Sequence, residues 1–246
     1  SNSLPKEPLM FQLPSDRVFI IAELSANHNG SLEVALETVK AAKRAGADAI
    51  KLQTYTADTI TLKSDQADFK ISGGTLWDGR YLHELYEEAY TPWDWHEAIF
   101  KAAADEVRAT GKKIEVSVMA PMIATVEEAQ VFAKEARAAG FTRVGIMVEI
   151  PAITRVIPQL KGVVDFLSIG TNDLSQYLFA ADRVNSAVAA LLNPWQPALL
   201  STLESIATES AAAGIKVGVC GEAASDPLLA VVMAGLGINS VSASPS

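Results

Sequence analysis

Several side chains able to do chemistry stand where short apolar runs of this sequence end. Glu149 closes one run, and Asp173 follows the next in Gly170-Thr171-Asn172-Asp173. Carboxylates on adjacent strand ends suit a hard divalent cation. Mg²⁺ takes one or two protein oxygens and fills the rest of its shell with water and substrate. Arg183 lies a little downstream, and a guanidinium clamps phosphate or carboxylate through paired N–H groups. Cys220 ends a further run, Gly218-Val219-Cys220-Gly221-Glu222, where a thiol could hand a proton to an enolate carbon. Earlier, Lys51 at a strand end is a natural anion contact. Gln53 shares its strand face, and Glu23 ends the neighbouring strand.

Each of these residues has a plain alternative role. Either carboxylate could cap the helix that follows it. Arg183 could pair with Asp182 at the surface, Cys220 could be a small buried hydrophobe, and Glu23 could simply neutralise Lys51. Their joint placement on one rim favours the functional reading.

The elements that must position them alternate regularly. Residues 18–23, 49–55, 113–119, 144–149, 163–170, 215–220 and 238–243 read as strands, rich in Val and Ile and often apolar without interruption. Parallel strands covered on both faces have this composition. Helices are signalled between them. Ser31 precedes Leu32, Leu36 and Val39 at helical spacing, and Thr125 with Glu128 forms a capping box. Thr91-Pro92 and Asp226-Pro227 place a cap before a proline at the first helical position. Gly46, Gly111, Gly140 and Gly214 end helical stretches. The expected fold is an α/β parallel (β/α) barrel of the TIM type, a single domain with its chemistry at the carboxyl ends of the strands. About seven strands are legible where the barrel class has eight. Either one hides in the polar, then aromatic, stretch 56–90, or the barrel is incomplete. A seven-strand sheet implies strained closure or a homodimer that covers the gap.

Composition bounds the partners. The 246 residues are 49% hydrophobic and 20% charged, with a formal net charge of −9 and no basic patch. Nucleic acid is therefore excluded as an expected partner. The apolar runs are too short for a membrane span. The single cysteine forbids an intrachain disulfide and suits a reducing, cytoplasmic setting. Residues 1–17, beginning Ser1-Asn2-Ser3, read as a tag remnant and lead-in.

Five stretches carry a resemblance: Met119-Ala120-Pro121-Met122, Met147-Val148-Glu149-Ile150-Pro151-Ala152, Ser168-Ile169-Gly170-Thr171-Asn172-Asp173-Leu174, Ala181-Asp182-Arg183 and Gly218-Val219-Cys220-Gly221-Glu222. With them, residues 117–246 resemble the carboxyl-terminal barrel of the phosphoenolpyruvate-utilising enzymes, the phosphotransferase-system Enzyme I branch above all, with pyruvate phosphate dikinase a relative. The resemblance implies that Glu149 and Asp173 hold Mg²⁺ (or Mn²⁺). It implies also that Asn172 and Arg183 contact phosphate and that Cys220 protonates pyruvate enolate.

Residues 18–104 resemble a second family. Ile21-Ala22-Glu23-Leu24-Ser25-Ala26-Asn27-His28-Asn29-Gly30 and Lys51-Leu52-Gln53-Thr54-Tyr55 are similar to sialic acid synthases. Thr75-Leu76-Trp77-Asp78-Gly79 and Thr91-Pro92-Trp93 point to the pseudaminic acid synthase branch. Those enzymes condense phosphoenolpyruvate with an acylamino sugar. The resemblance places Glu23 near the reacting centre, Lys51 on phosphoenolpyruvate and Gln53 on the sugar.

Neither catalytic set is complete. The synthases use two later histidines as metal ligands, whereas His28, His83 and His96 are all early. Nothing matches the synthases' antifreeze-like domain, or the phosphohistidine domain and early-strand arginines of the other family. The two parents meet near residues 106–113, with synthase-like strands over 18–110 and phosphoenolpyruvate-utiliser strands over 111–246. The expectation is an engineered hybrid barrel with no complete natural active site that retains weak Mg²⁺ and phosphoenolpyruvate binding. Its alternative is a working phosphoenolpyruvate-dependent enzyme of the synthase or phosphotransferase type.

Overall fold

The computed structural model describes residues 17–71, 77–108, 115–183 and 185–243. All but residue 17 of the expected tag remnant and lead-in at 1–17, the Gly73-Gly74 pair, Gly111 and residues 244–246 lie outside them. The chain runs β1 (Phe19–Glu23), α1 (Leu32–Arg44), β2 (Ala49–Lys51), α2 (Ala57–Ile60), α3 (Leu82–Ala89), α4 (Trp95–Arg108), β3 (Ser117–Ala120), α5 (Val126–Ala138), β4 (Arg143–Val148), β5 (Phe166–Gly170), α6 (Thr171–Leu178), α7 (Pro197–Ala213), β6 (Lys216–Cys220), α8 (Pro227–Gly235) and β7 (Ser240–Ala243). All seven strands pair in parallel, in the order β2-β1-β7-β6-β5-β4-β3. A first strand paired with the seventh is the closure of a (β/α) barrel, and the expected fold class holds. Among the described strands, β2 and β3 are the two edges of the sheet and do not pair with each other. The described part of 56–90 contributes helices, a 3₁₀ turn and an isolated Lys70–Tyr81 bridge but no strand. Among the described residues the barrel therefore has seven strands and no pairing that joins β2 to β3.

Several local signals act as expected. Ser31 caps α1 by accepting from the Val34 N–H. The Thr125–Glu128 box opens α5, with Glu128 N–H bonded to Thr125 Oγ1 at 3.2 Å. Asp226 accepts from Leu228 and Leu229 ahead of α8. Gly214 ends α7 at φ +73°, a left-handed position that a Cβ disfavours.

Two expectations need correction. The strand expected over 49–55 stops at Lys51, because β1 turns away after Leu24 donates to the Lys51 carbonyl and, among the described residues, no strand lies on the other side. Thr91-Pro92 does not open a helix. The Thr91 hydroxyl is taken by buried His28 Nε2 at 3.3 Å, the Pro92 carbonyl accepts from Trp95, and α4 begins there.

The interior is divided. The larger core joins β4, β5, β6 and β7 to α7 and α8 through Ile146, Leu167, Leu203, Val219, Met233 and Val241. A smaller cluster, Leu24, Ala35, Val39 and Ile99, packs α1 on α4 beside β2. No described helix is long and apolar enough to cross a membrane.

Candidate active site at the open mouth of the barrel

Strand direction explains why the candidate residues meet. Every strand is parallel, so every carboxyl end faces one rim. Glu23 ends β1, Lys51 ends β2, Glu149 follows β4, Asp173 lies in the first turn of α6 directly after β5, and Cys220 ends β6.

Glu23 is the hub of one half of the rim. Its Oε1 accepts from Lys51 Nζ at 3.0 Å and from Ser242 Oγ at 2.7 Å, and its Oε2 accepts from Ser25 Oγ at 3.3 Å. Burial opposes the Lys51 charge, but the Glu23 carboxylate at 3.0 Å helps to hold the pKa above the ordinary lysine value. Lys51 is thus a fixed cation.

Cys220 is buried. Its thiol approaches the Ile169 carbonyl at 3.4 Å, and Ser168 Oγ lies 3.6 Å from Sγ. Burial pushes the thiol pKa up against the pull of Lys51 and Ser168, so at neutral pH the sulfur keeps its proton. That state suits a proton donor and not a nucleophile.

The other half of the rim holds the two carboxylates. Glu149 is 2% exposed and accepts the Met122 N–H at 2.6 Å. Met122 itself has φ +58°, a strained conformation for a side-chain-bearing residue, anchored by that bond. Burial raises the Glu149 pKa, helped by the nearby Asp173 charge and opposed by Met122, Lys51 and Arg183. Gly170 is required beside it, since a Cβ there would collide with Glu149 Oε2. Asp173 carries Arg183 at 3.7 Å. Asn172 Oδ1 accepts from the Glu222 N–H at 3.0 Å, which ties α6 to the turn after β6. The same turn needs Gly221, at φ +98°, where a Cβ would meet Thr171 and Asn172.

Glu149 and Asp173 fit a hard cation in donor type and mutual proximity. The Glu149 pKa is raised first by burial and then by the Asp173 charge, and a cation held between the two carboxylates would relieve that repulsion. Among the described residues no group of three or more His, Cys, Asp or Glu side chains could hold a metal, so water or ligand oxygens would complete the shell. The three histidines serve structure: His28 is buried against Trp95, His83 meets Asp58, and His96 meets Thr54.

Gln53 does not join the site as the sequence implies. It lies in the loop beyond the shortened β2 and is exposed. Sequence reasoning in turn missed Ser242 and Ser168. The signal was present: Ser240 and Ser242 alternate in an otherwise buried strand, and a polar residue at period two in such a strand faces the interior.

Comparisons with known proteins follow the same division. The family model "PEP-utilising enzyme, PEP-binding domain" matches residues 94–246. The NeuB family model matches residues 38–139, so the two overlap across 94–139. A pseudaminic acid synthase of Campylobacter jejuni is 67% identical over 90 residues, covering 37% of this chain and 26% of that protein. A phosphoenolpyruvate-protein phosphotransferase of Streptomyces coelicolor is 50% identical over 135 residues, covering 54% of this chain and 24% of that protein. The chain therefore spans about a quarter of the length of these relatives. Among solved structures, an HpcH/HpaI aldolase from Desulfitobacterium hafniense DCB-2 aligns with TM-score 0.57 at 11% identity over 93% of this chain and 87% of that one. An HpcH/Hpal aldolase/citrate lyase family protein from Burkholderia cenocepacia J2315 aligns at 0.52 and 15% identity, over 93% and 88%. These likenesses support the barrel fold alone.

Proposed function

Because this chain belongs to the PEP-utilising enzyme family through its PEP-binding domain, we propose that it is a two-parent barrel that holds phosphoenolpyruvate at its mouth without turning it over. One observation carries the reading. Glu23, from the synthase-like segment, accepts both from Lys51 of its own segment and from Ser242 of the phosphoenolpyruvate-utiliser segment. The two inherited half-sites form one rim and do not lie apart.

The residues divide the work by their chemistry. Lys51 supplies a fixed positive charge for the ligand carboxylate or phosphate. Arg183 can leave Asp173 and clamp phosphate in paired fashion. Asn172 keeps its carbonyl on Glu222, so a ligand contact falls to its amide nitrogen. Glu149 and Asp173 would hold Mg²⁺ or Mn²⁺, which when bound would offset the negative charge of the ligand. Cys220 Sγ keeps a proton beside the ligand. The sugar side has no comparable anchor, since Gln53 faces solvent. That asymmetry supports binding without condensation. The hybrid origin, with its join in the overlap of the two family matches, is part of this proposal.

Calorimetric titration tests it. Phosphoenolpyruvate should bind weakly with Mg²⁺ present, more weakly without it, and about tenfold more weakly still in Lys51→Met, the fold-change expected for one lost charge-assisted contact. Absence of binding to the parent chain would leave an inert scaffold. Release of pyruvate or phosphate in the presence of an acylamino sugar or a histidine phosphoacceptor would establish the alternative, a working phosphoenolpyruvate-dependent enzyme.

A further inference from the structure

The loop that joins β1 to α1 is strained. Ser25, Asn29 and Gly30 all have left-handed backbone, at φ +44°, +47° and +65°, a conformation that costs energy in the two residues with side chains. Within the loop Asn27 N–H donates to the Leu24 carbonyl and Ser31 N–H to the His28 carbonyl, both at 2.9 Å. The His28 side chain fastens the loop to the rest of the barrel. Its ring is 0% exposed, accepts the Gly30 N–H on Nδ1 at 3.1 Å and meets the Thr91 hydroxyl with Nε2 at 3.3 Å, across 63 residues of sequence. Trp95, at the start of α4, packs against it in a T-shaped contact with 5.2 Å between ring centroids.

These partners fix where the ring proton sits. A peptide N–H can only donate, so Nδ1 must offer its lone pair. The neutral ring then carries its hydrogen on Nε2 and donates to Thr91. A second proton has room only on Nδ1, where it would point at the Gly30 N–H. The bond to Gly30 would be lost, and a charge would appear where Gly30, Thr91 and Trp95 carry none to offset it. On the α4 side Asp94 is exposed, and His96 is engaged by Thr54 and the Pro92 carbonyl. On the strand side Glu23 is held by Lys51, Ser25 and Ser242, and on α1 Glu33 is exposed. Burial lowers the pKa of His28 from its ordinary 6.5, with no charged side chain contributing among the described residues.

We infer that His28 is an acid-released latch: a proton on Nδ1 frees the β1–α1 loop from the head of α4, and with it Ser25, which bonds Glu23 at the mouth. The strain at Ser25 and Asn29 favours release once the Gly30 bond is gone. Because the folded state resists the proton, the contribution of the latch to stability is complete above pH 6.5 and is lost as pH falls through the folded pKa. The latch operates in the ligand-free protein, whatever the mouth binds.

Nitrogen-15 NMR of the ligand-free full chain tests this. The His28 ring, assigned through its contacts with Trp95, should have a bare Nδ1 and a protonated Nε2 at pH 8, and should titrate below the ordinary histidine range. As it titrates, the Asn27, Gly30 and Ser31 amides should lose hydrogen-exchange protection together. The expected loss, after correction for the intrinsic pH dependence of exchange, is about tenfold, the change that goes with one net hydrogen bond. His28→Asn puts an amide oxygen in the place of Nδ1 and cannot take up a proton, so its Gly30 protection should stay constant over the same pH range. A proton on Nδ1 at pH 8, or Gly30 protection that does not change as the ring titrates, overturns the latch. A loss of protection in His28→Asn equal to the parent's assigns the change to other groups and overturns it too. If His28→Asn does not fold, the ring tautomer and the protection profile of the parent decide.

Discussion

Lys51 Nζ lies 3.0 Å from Glu23 Oε1 at the last register position shared by β1 and β2, with only 14% and 12% of the two side chains exposed. At that depth the pair is shielded from solvent, and each partner depends on the other.

Removing one partner should therefore cost more than a surface ion pair would. Lys51→Met is expected to lower unfolding stability by about 2 to 3 kcal/mol, because Glu23 stays behind a protein wall with only hydroxyl partners. Lys51→Met combined with Glu23→Gln should cost less than the two single changes added together. Urea unfolding of the four proteins measures this. A single-variant cost below about 0.5 kcal/mol would place the pair among solvent-screened contacts.

Glu149 makes a prediction of opposite sign. Burial, with the Asp173 charge behind it, raises its folded pKa above the unfolded value of 4.5. The folded state then binds the proton more tightly than the unfolded chain does. Its contribution to stability is complete below pH 4.5 and is lost as pH rises through the folded pKa. Glu149→Gln keeps an acceptor for Met122 and removes the ionisation, so it should be more stable than the parent at pH 7 in metal-free buffer, and no more stable at pH 4. Denaturant titrations of both proteins at the two pH values check it. An equal difference at both would mean that ionisation of Glu149 carries no penalty.

Mg²⁺ or Mn²⁺ should stabilise the chain at millimolar concentrations by mass action. Tenfold excess over the dissociation constant corresponds to about 1.4 kcal/mol, or a rise of about 3 °C in a chain of this size. Asp173→Asn should abolish the rise, since one neutral oxygen replaces a charged ligand. Thermal unfolding at constant ionic strength reads both. A melting temperature of the parent that does not move with metal means that Glu149 and Asp173 do not act together on a cation.

The division of the core should appear in hydrogen exchange. Amides of α1 and α4, which rest on the small Leu24, Ala35, Val39 and Ile99 cluster, should exchange faster than those of β5, β6 and α7. Uniform protection across both sets would show that the two clusters open as one unit.

Much of this architecture is legible in the sequence because its signals are local. All seven strands lie within the apolar runs or overlap them closely, and the Ser31, Thr125 and Asp226 caps depend only on residues a turn away. The errors arise where a distant partner decides. Residues 52–55 have the composition of a strand but no neighbour to pair with. Thr91 looks like a cap, but His28, far away in sequence, claims its hydroxyl. The site divides in the same way. Glu23, Lys51, Glu149, Asp173 and Cys220 are readable as strand-end chemistry. The bond between Ser242 and Glu23 depends on which strands are adjacent, and one sequence read from end to end does not state that.

The pairing of β1 with β7 also sets an order in time. During synthesis β1 emerges before the other described strands, both of its sheet neighbours come from later in the chain, and Ser242, which bonds Glu23, comes 219 residues after it. The segments after β3 can collapse on their own apolar cluster while β1 and α1 wait. Closing so long a loop is entropically slow, and contacts of this range are the ones that delay folding. β1 is thus made before β7 yet waits for it, and the mouth of the barrel is assembled only after β7 has been made.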